Sequence, residues 1–182
     1  MADTRPPIPS KLFVGMIARD PLLFDACADI LKSKFGPVDM RAPIKPWNQT
    51  EYYRDEMGTG LLRTFIFFEQ LVDQEALPDI KCMTNVIEKK FAEAGTGNRM
   101  INLDPGYITE AKVVLASTKD FSHRVYVGQR IYAEVTLQFR ERGRTFFALD
   151  HTYPDFRQKD TIELFNQARG LLRDMLKKSK PR

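Results

Sequence analysis

The chain has 182 residues, 43% of them hydrophobic and 29% charged, which is the length and composition of one ordinary globular domain. The net charge of +4 arises in the last six residues, through Lys177, Lys178, Lys180 and Arg182, and because the remainder is formally neutral we do not expect nucleic acid as a partner. No segment has the roughly 20 apolar residues that span a bilayer and no signal-peptide core is present, so we predict a cytoplasmic protein without membrane contact.

The first half of the chain predicts alternating strands and helices. Residues 11–18 are a continuous apolar run, typical of a strand covered on both faces. Asp20 and Pro21 then mark the start of a helix, whose apolar stripe ends at Gly36. We expect further strands at residues 38–44 and 61–71, a helix that Pro78 opens and Gly95 closes, and a strand at residues 99–103. This βαββαβ order is the ferredoxin-like arrangement.

The link before the third strand, residues 45–60, is polar, aromatic and longer than most connections, which favours a function. Its composition suits a lid over a site, and it suits simple packing over a sheet edge equally well. The residues concerned are Thr50, Glu51, Tyr52, Tyr53, Arg54, Asp55 and Glu56.

The second predicted helix has an apolar side and a polar side. The apolar residues with the spacing of a buried stripe are Ile80, Met83, Ile87 and Phe91. The polar residues that share the other side are Lys81, Thr84, Asn85 and Glu88. This pattern is typical of a surface helix, and it predicts that the polar side faces water.

The second half predicts antiparallel strands followed by a helix. The strands are expected at residues 111–118, 124–127, 132–140 and 145–152. A last helix is expected from about Thr161, with Asp160 as its N-cap. The predicted fold class is α+β: a ferredoxin-like first half extended by antiparallel strands and a C-terminal helix. We expect one domain over residues 11–176, between a disordered N-terminal tail (1–10) and a basic C-terminal tail (177–182).

The strand around residues 131–140 alternates between apolar and polar side chains. One face would carry Ile131, Ala133, Val135, Leu137 and Phe139, and the other would carry Tyr132, Glu134, Thr136, Gln138 and Arg140. In an antiparallel sheet this alternation predicts one face on the core and one face in water. A polar face of this kind is either a ligand platform or an ordinary solvated surface.

Two neighbouring segments, residues 102–107 and 117–124, combine turn formers, carboxylates and basic groups. Asp104-Pro105-Gly106 follows a predicted strand, so the Asp104 carboxylate would project from a strand end; the alternative is a simple tight turn. Lys119, His123 and Arg124 would hold a phosphate or carboxylate by charge-assisted hydrogen bonds; the alternative is a solvated connection.

We expect both segments to converge with Glu134 on one side of the sheet. In this hypothesis the catalytic residues are Asp104, Glu134 and His123. The ligand-binding residues are Lys119, Arg124, Asn102, Tyr107, Thr118 and Lys112.

Several familiar sites are excluded by absent motifs. Cys27 and Cys82 lie in apolar helical patterns and give neither a disulfide framework nor a zinc site. The chain has no P-loop for a nucleotide, no dinucleotide fingerprint and no nucleophile elbow. With only His123 and His151 present, an imidazole-rich metal centre is excluded. Magnesium stays open as a cofactor, since oxygen ligands suit it; the candidate ligands are Asp104, Glu134, Asp150 and Asp155.

The chain resembles domain-of-unknown-function family 4416, a family of bacterial proteins some of which carry a GTP-binding label. The matching stretches are residues 11–16, 50–58, 84–85, 102–107, 118–124, 134–137 and 152–155. The resemblance covers nearly the whole chain and implies no established activity. Thr118-Lys119-Asp120 differs from the Asn-Lys-x-Asp motif that reads guanine, so the residues themselves do not support the GTP label.

The leading functional hypothesis is an α+β domain that binds, and in one version turns over, a small anionic, nucleotide-like ligand at the polar site. The alternative is a non-enzymatic protein- or RNA-interaction module that uses the ferredoxin-like half. Exposed aromatic side chains on that half of the sheet would favour the interaction module. A polar pocket around Asp104 would favour the ligand site. Enzymatic activity and oligomeric state are left open by the sequence.

Overall fold

The computed structural model describes residues 3–49 and 52–178. Two residues of the predicted lid, Thr50 and Glu51, and two of the tail, Lys180 and Arg182, lie outside the described residues. The elements in chain order are β1 (Ser10–Ala18), α1 (Leu22–Phe35), β2 (Val38–Arg41), β3 (Lys45–Pro46), α2 (Arg54–Met57), β4 (Leu62–Val72), α3 (Leu77–Lys90), β5 (Ile101–Ile108), β6 (Lys112–Ser117), β7 (Val125–Gly128), β8 (Ile131–Arg140), β9 (Thr145–Ala148) and α4 (Lys159–Lys178).

All nine strands belong to one antiparallel sheet, whose main path runs β2-β4-β1-β5-β6-β8-β7. The two-residue β3 also pairs with β4, and β9 pairs with β8. The neighbours β2-β4-β1-β5 have the strand order of the ferredoxin-like unit, and β6 to β9 extend this sheet beyond β5. The predicted α+β fold class is therefore confirmed.

Helices cover both faces of the first half of the sheet. Leu12, Val14 and Met16 of β1 pack on one face with residues of α1 and α3. Phe13 packs on the opposite face with residues of β4 and α4. This two-sided burial explains why β1 is an apolar run without alternation. The exception, Lys11, is fully buried; burial lowers the pKa of its ammonium, which donates to Asp39 at 2.6 Å and to the Phe68 carbonyl at 2.7 Å.

The helix boundaries show how far local signals decide the fold. Asp20 accepts a hydrogen bond from the Leu22 N–H at 2.9 Å, and Gly36, with φ of 86°, ends α1 as predicted. Helix α4 begins two residues earlier than predicted, at Lys159. A 3-10 turn (Pro154–Arg157) lies just before it, and the Gln158 carbonyl already accepts the Ile162 N–H at 3.0 Å. None of the helices in the described ranges has the length and apolar content needed to cross a lipid bilayer.

Candidate functional site

The sheet opens between β5 and β6, and polar side chains collect at this opening. Strand β5 pairs with β6 only through Gly106, Tyr107 and Ile108, whereas its other residues pair with β1 alone. The free edge at Leu103 is completed by α3: the Lys81 ammonium donates to the Leu103 carbonyl at 2.7 Å, and the Glu88 carboxylate accepts the Leu103 N–H at 2.7 Å. Two helix side chains thus take the place of a neighbouring strand.

The prediction that the polar side of α3 faces water is therefore wrong. Lys81, Thr84 and Glu88 are at least 95% buried, whereas Met83, expected in the core, is 36% exposed. The reason is that the helix turns its charged residues towards unpaired backbone groups of β5. A buried backbone donor or acceptor without a partner would be destabilising by about 1–3 kcal/mol.

Asp104-Pro105-Gly106 is neither a turn nor a strand end, because it lies inside β5. The backbone nitrogen of Pro105, like that of Leu103 two residues before it, points away from β1. The missing N–H of Pro105 therefore removes no hydrogen bond between β5 and β1. Gly106 is required by the close approach of β6, since a Cβ at this position would lie 2.4 Å from the Val114 carbonyl oxygen. Pro105 and Gly106, which are typical of turns, thus allow β5 to pack closely against its neighbours. The Asp104 side chain projects from the middle of the strand.

The Asp104 carboxylate lies among three polar groups. The Arg63 guanidinium donates to it at 3.2 Å, the Asn102 amide donates at 2.8 Å, and the Lys81 ammonium is 3.9 Å away. Burial by itself would raise the pKa of Asp104, but the charges of Lys81 and Arg63 and the Asn102 hydrogen bond together hold that pKa below its usual range. Asp104 is therefore an anion at neutral pH.

Arg99 connects this carboxylate to α2 and α3. Its guanidinium makes two hydrogen bonds with Glu56, at 2.7 and 2.6 Å, and donates to the Asn102 side-chain oxygen at 2.9 Å. The hydrogen bonds from Arg99 lower the pKa of Glu56. The Asp104 cluster consists of Glu56, Arg63, Lys81, Glu88, Arg99, Asn102, Asp104 and Asp155, whose carboxylate is 3.3 Å from Arg63.

A second set of paired charges, the Glu134 cluster, lies at the end of β6 and the start of β8. It comprises Ser117, His123, Arg124, Glu134, Thr136 and Tyr153. The Glu134 side chain has no exposed surface and accepts from Arg124 Nε at 2.7 Å, with His123 Nε2 at 3.1 Å. Arg124 also donates to Ser117 Oγ at 2.7 Å, to the Lys119 carbonyl at 3.0 Å and to the Tyr153 hydroxyl at 3.0 Å.

The prediction that this face of β8 is wet is wrong at Glu134 and Thr136, which are 2% and 0% exposed. Arg124 and the residues after β9 cover them, and Thr152 donates to the Thr136 carbonyl at 2.6 Å. The alternation persists only towards the end of the strand, where Gln138 and Arg140 are exposed.

Lys119 and His123 are the basic groups of this region that keep contact with solvent. The Lys119 ammonium lies 3.4 Å from the centre of the Tyr52 ring. The His123 side chain is 25% exposed and stacks on His151, with ring centres 4.4 Å apart. Thr118, beside them, is exposed.

Within the described part of the predicted lid, Glu56 belongs to the Asp104 cluster, and Tyr52 contacts Lys119, whose carbonyl accepts from Arg124 of the Glu134 cluster. Tyr52 lies over Lys119 and its ring centre is 4.9 Å from that of Tyr53. Burial raises the pKa of the Tyr53 hydroxyl, and the charges that act on it include Asp104 and Arg63. This segment therefore joins the Asp104 cluster to the Lys119 loop.

Two predicted ligand-binding residues lie elsewhere. Tyr107 packs on the α3 side of the sheet with Leu77 and Val114, opposite the face that carries Asp104. Lys112 pairs with Gln138 at the far end of β6, about 17 Å along the strand from Ser117. The structure brings Asn102 to Asp104 and brings Arg124 and His123 to Glu134.

The described residues provide no set of ligands for the magnesium ion that the sequence left open as a cofactor. Within residues 3–49 and 52–178 no group of three His, Cys, Asp or Glu side chains is arranged to hold a metal ion. Glu134 is bound to Arg124, Asp104 and Asp155 both contact Arg63, and Asp150 is exposed. Three of the four candidate carboxylates are thus paired with basic side chains of the protein.

Most charged members of the Asp104 cluster were missed by sequence reasoning. Lys81 and Glu88 have the spacing of a solvated helix face, so they give no signal of burial. Arg63 gives one, because it is the single charge in the apolar first part of β4, residues 62–68. A buried arginine requires a carboxylate partner, but only the structure identifies its partners as Asp104 and Asp155.

Glu88 provides a test of buried charge in α3. Burial raises the pKa of Glu88, against the opposing effects of Lys81 and the Leu103 N–H, so the folded protein binds this proton more tightly than the unfolded chain. As pH falls through the raised pKa, wild type should gain stability relative to Glu88→Gln, which keeps the acceptor for Leu103. Urea unfolding of both proteins between pH 7 and pH 5 measures this gain. Glu75→Gln, at an exposed position, is the control, and a flat or opposite trend for Glu88 would refute the expectation.

These features define an α+β protein in which an extended ferredoxin-like sheet carries two groups of paired, mostly buried charges. The chain belongs to the family described as Domain of unknown function (DUF4416), whose profile matches residues 8–171. The predicted family is thereby confirmed. No curated protein and no solved structure matches the chain.

Proposed function

We propose that the protein binds a small anionic, nucleotide-like ligand beside the Glu134 cluster, with Lys119 as the principal cation. One observation carries this proposal. The Lys119 ammonium lies over the Tyr52 ring at 3.4 Å, and no ion pair to it occurs within the described part of the chain. A partly exposed ammonium that is held in place by an aromatic ring is suited to a phosphate or carboxylate group.

The neighbouring arginines support this assignment because they are already bound. Arg63, Arg99 and Arg124 each pair with at least one carboxylate of the protein. Arg124 has the role of a positioning residue in this proposal, since its guanidinium holds the Lys119 carbonyl and Ser117. Lys119 and His123 are then the groups that would contact the anion, with the exposed Thr118 next to them.

Turnover of the ligand would use the same region. Asp104, ionised through its lowered pKa, suits the orientation of a substrate by hydrogen bonds, and at neutral pH it is a poor proton acceptor and a poor proton donor. His123 is held by Glu134 and is accessible enough to exchange a proton with a ligand. Tyr107 and Lys112 have no part in this proposal, because both lie away from Lys119. A cytoplasmic location stays a prediction of the sequence, which leaves enzymatic activity open.

The proposal predicts a charge-specific loss of ligand binding. Thermal shift with inorganic phosphate, pyrophosphate, GTP and ATP, each with and without Mg²⁺, should show saturable stabilisation by at least one anion. Lys119→Ala should weaken the apparent affinity about tenfold or more, the effect of one charge-assisted hydrogen bond. Lys112→Ala is the matched control, since it removes the same charge at the opposite end of β6 from the loop that carries Lys119.

Two results would overturn the proposal. One is the absence of saturable stabilisation by every anion tested. The other is an equal loss of affinity in Lys119→Ala and Lys112→Ala, which would indicate a non-specific effect of net charge.

The alternative, an interaction module, depends on a different surface from the one expected. The aromatic residues Phe13, Phe65 and Phe67 of the ferredoxin-like half are buried with α4 and are not open for base stacking. Exposed apolar residues lie instead on the edge strand β7, where Val125 is 65% and Tyr126 62% exposed. Binding of an RNA oligomer that Tyr126→Ala abolishes, together with no stabilisation by anions, would favour this second function.

A further inference from the structure

Phe121, in the loop that carries Lys119, differs from every other phenylalanine of the chain. All 13 phenylalanines lie within the described residues, and Phe121 alone is exposed, at 48%. Phenylalanine has no polar atom for water to solvate, so an exposed ring loses the favourable burial that a place in the core would provide. The position of this ring therefore has no explanation in the core.

Two further exposed aromatic rings contact the same loop. Tyr52 lies over the Lys119 ammonium at 3.4 Å, and the Tyr153 hydroxyl accepts from Arg124 at 3.0 Å. Among the described residues the one other exposed aromatic side chain is Tyr126 of the adjoining strand β7. Exposed aromatic surface that is grouped with cations is typical of a binding site.

The buried Arg124 holds the Phe121 ring in position. The Arg124 guanidinium carbon lies over the ring, 4.7 Å from its centre, and the centre of the His123 ring is 6.0 Å away. Arg124 is itself buried and donates to Glu134 at 2.7 Å. Because one face of the Phe121 ring lies on this guanidinium, the exposed surface is the opposite face and the edges. A flat apolar surface is thus ordered before any ligand binds.

The same guanidinium fixes the loop of the anion site. Arg124 donates to the Lys119 carbonyl at 3.0 Å, so one side chain holds both the backbone that carries the ammonium and the Phe121 ring. A ligand that binds Lys119 through a phosphate would place the group attached to that phosphate near the open face of Phe121. A nucleobase stacks on such a face, whereas a sugar has no π-face with which to stack.

We propose that Phe121 is a specificity-determining residue of the anion site and that the ligand is a nucleoside phosphate. Lys119 holds the phosphate, and the nucleobase stacks on the open face of Phe121. This inference rests on the proposed function and narrows its ligand from small anions in general to one class, in preference to sugar phosphates and inorganic phosphate. Stacking alone does not select among the bases, because every base has a π-face.

The experiment compares ligands that share a phosphate and differ in the base. Calorimetric titration of the intact chain uses adenosine 5′-monophosphate, uridine 5′-monophosphate and ribose 5-phosphate. At least one nucleotide should bind about tenfold more tightly than ribose 5-phosphate, the effect of one stacked base. Phe121→Leu keeps the apolar bulk and removes the ring, so it should abolish this preference and leave the Kd of ribose 5-phosphate unchanged.

Two further variants complete the design. Tyr126→Leu is the matched control, since it removes an exposed ring of the adjoining strand and should keep the nucleotide preference. Lys119→Ala should weaken the nucleotides and ribose 5-phosphate by the same factor, because it removes the contact with the phosphate that they share. Thermal unfolding of each variant confirms that it is folded.

The outcomes separate this inference from the proposed function. Equal affinity of wild type for ribose 5-phosphate and both nucleotides overturns the role of Phe121 and leaves the anion site standing, as does a nucleotide preference that survives Phe121→Leu. An equal loss of preference in Phe121→Leu and Tyr126→Leu also overturns it. If no phosphate compound binds at all, both the inference and the proposed function are wrong.

Discussion

Arg124→Met is expected to lower the free energy of unfolding by about 3–5 kcal/mol, the effect of leaving a buried charge without its partner. The Arg124 and Glu134 side chains are 1% and 0% exposed, so water cannot replace the lost guanidinium. Urea unfolding at pH 7 measures the change. The substitution also removes the donors to Ser117 and Tyr153, which adds to the destabilisation.

A double-mutant cycle separates the ion pair from the other contacts. Glu134→Gln in the Arg124→Met background neutralises the stranded carboxylate, so the double variant should recover about 2 kcal/mol relative to Arg124→Met. Arg41→Met is the matched control, because the Arg41–Asp25 pair is largely exposed and should contribute about 1 kcal/mol or less. Equal losses for Arg124→Met and Arg41→Met, or no recovery in the double variant, would contradict the role of the buried pair.

Asp104→Asn is expected to destabilise the protein by about 3 kcal/mol at neutral pH, at the lower end for a broken buried pair because Arg63 keeps Asp155. The substitution leaves Arg63 and Lys81 with less negative charge near them and replaces an acceptor for Asn102. The anion proposal does not depend on this loss, since Asp104 is not its principal binding group.

The pH dependence of this effect has a definite sign. The pKa of Asp104 is lower in the folded protein than its ordinary value of 3.8, so its stabilisation is present above that value and is lost as pH falls through the folded pKa. Because the Asp104 charge also raises the pKa of Glu88, the comparison is made in the Glu88→Gln background, where the effect of Asp104→Asn should stay constant from pH 7 to about pH 5 and shrink only under stronger acid. Denaturant unfolding across this range tests it, with the exposed Asp25→Asn as control. A difference that grows on acidification would contradict the assigned direction.

The candidate site was only partly predictable. Asn102, Asp104, His123 and Arg124 were singled out because two short segments combine polar groups of opposite charge, and Glu134 was singled out on the polar face of a predicted strand. Their grouping was not predictable: Asp104 pairs with Arg63 and Lys81, whereas Glu134 pairs with Arg124 and His123. The predicted single site is thus two clusters, which are joined by residues 52–58.

Backbone groups of β5 need hydrogen-bond partners, and this need explains features of the structure that local sequence patterns did not predict. Lys81 and Glu88 have the spacing of surface residues, and only the position of α3 against the unpaired edge at Leu103 buries them. Pro105 and Gly106 have the composition of a turn, and only their pairing with Val14 and Phe13 of β1 makes them part of a strand. In both cases the deciding partner is distant in sequence.

The sequence by itself determined the elements, the βαββαβ order of the first half and the family. These follow from short-range physics: a two-sided apolar run in β1, a capped amphipathic α1 and the alternation of apolar residues. The tertiary structure alone decided which charges are buried, that α4 covers the aromatic residues of the sheet, and that the Lys119 ammonium lies over the Tyr52 ring. The physical reason is that secondary structure depends on neighbours within a few residues, whereas burial and charge pairing depend on groups that only the folded chain brings together.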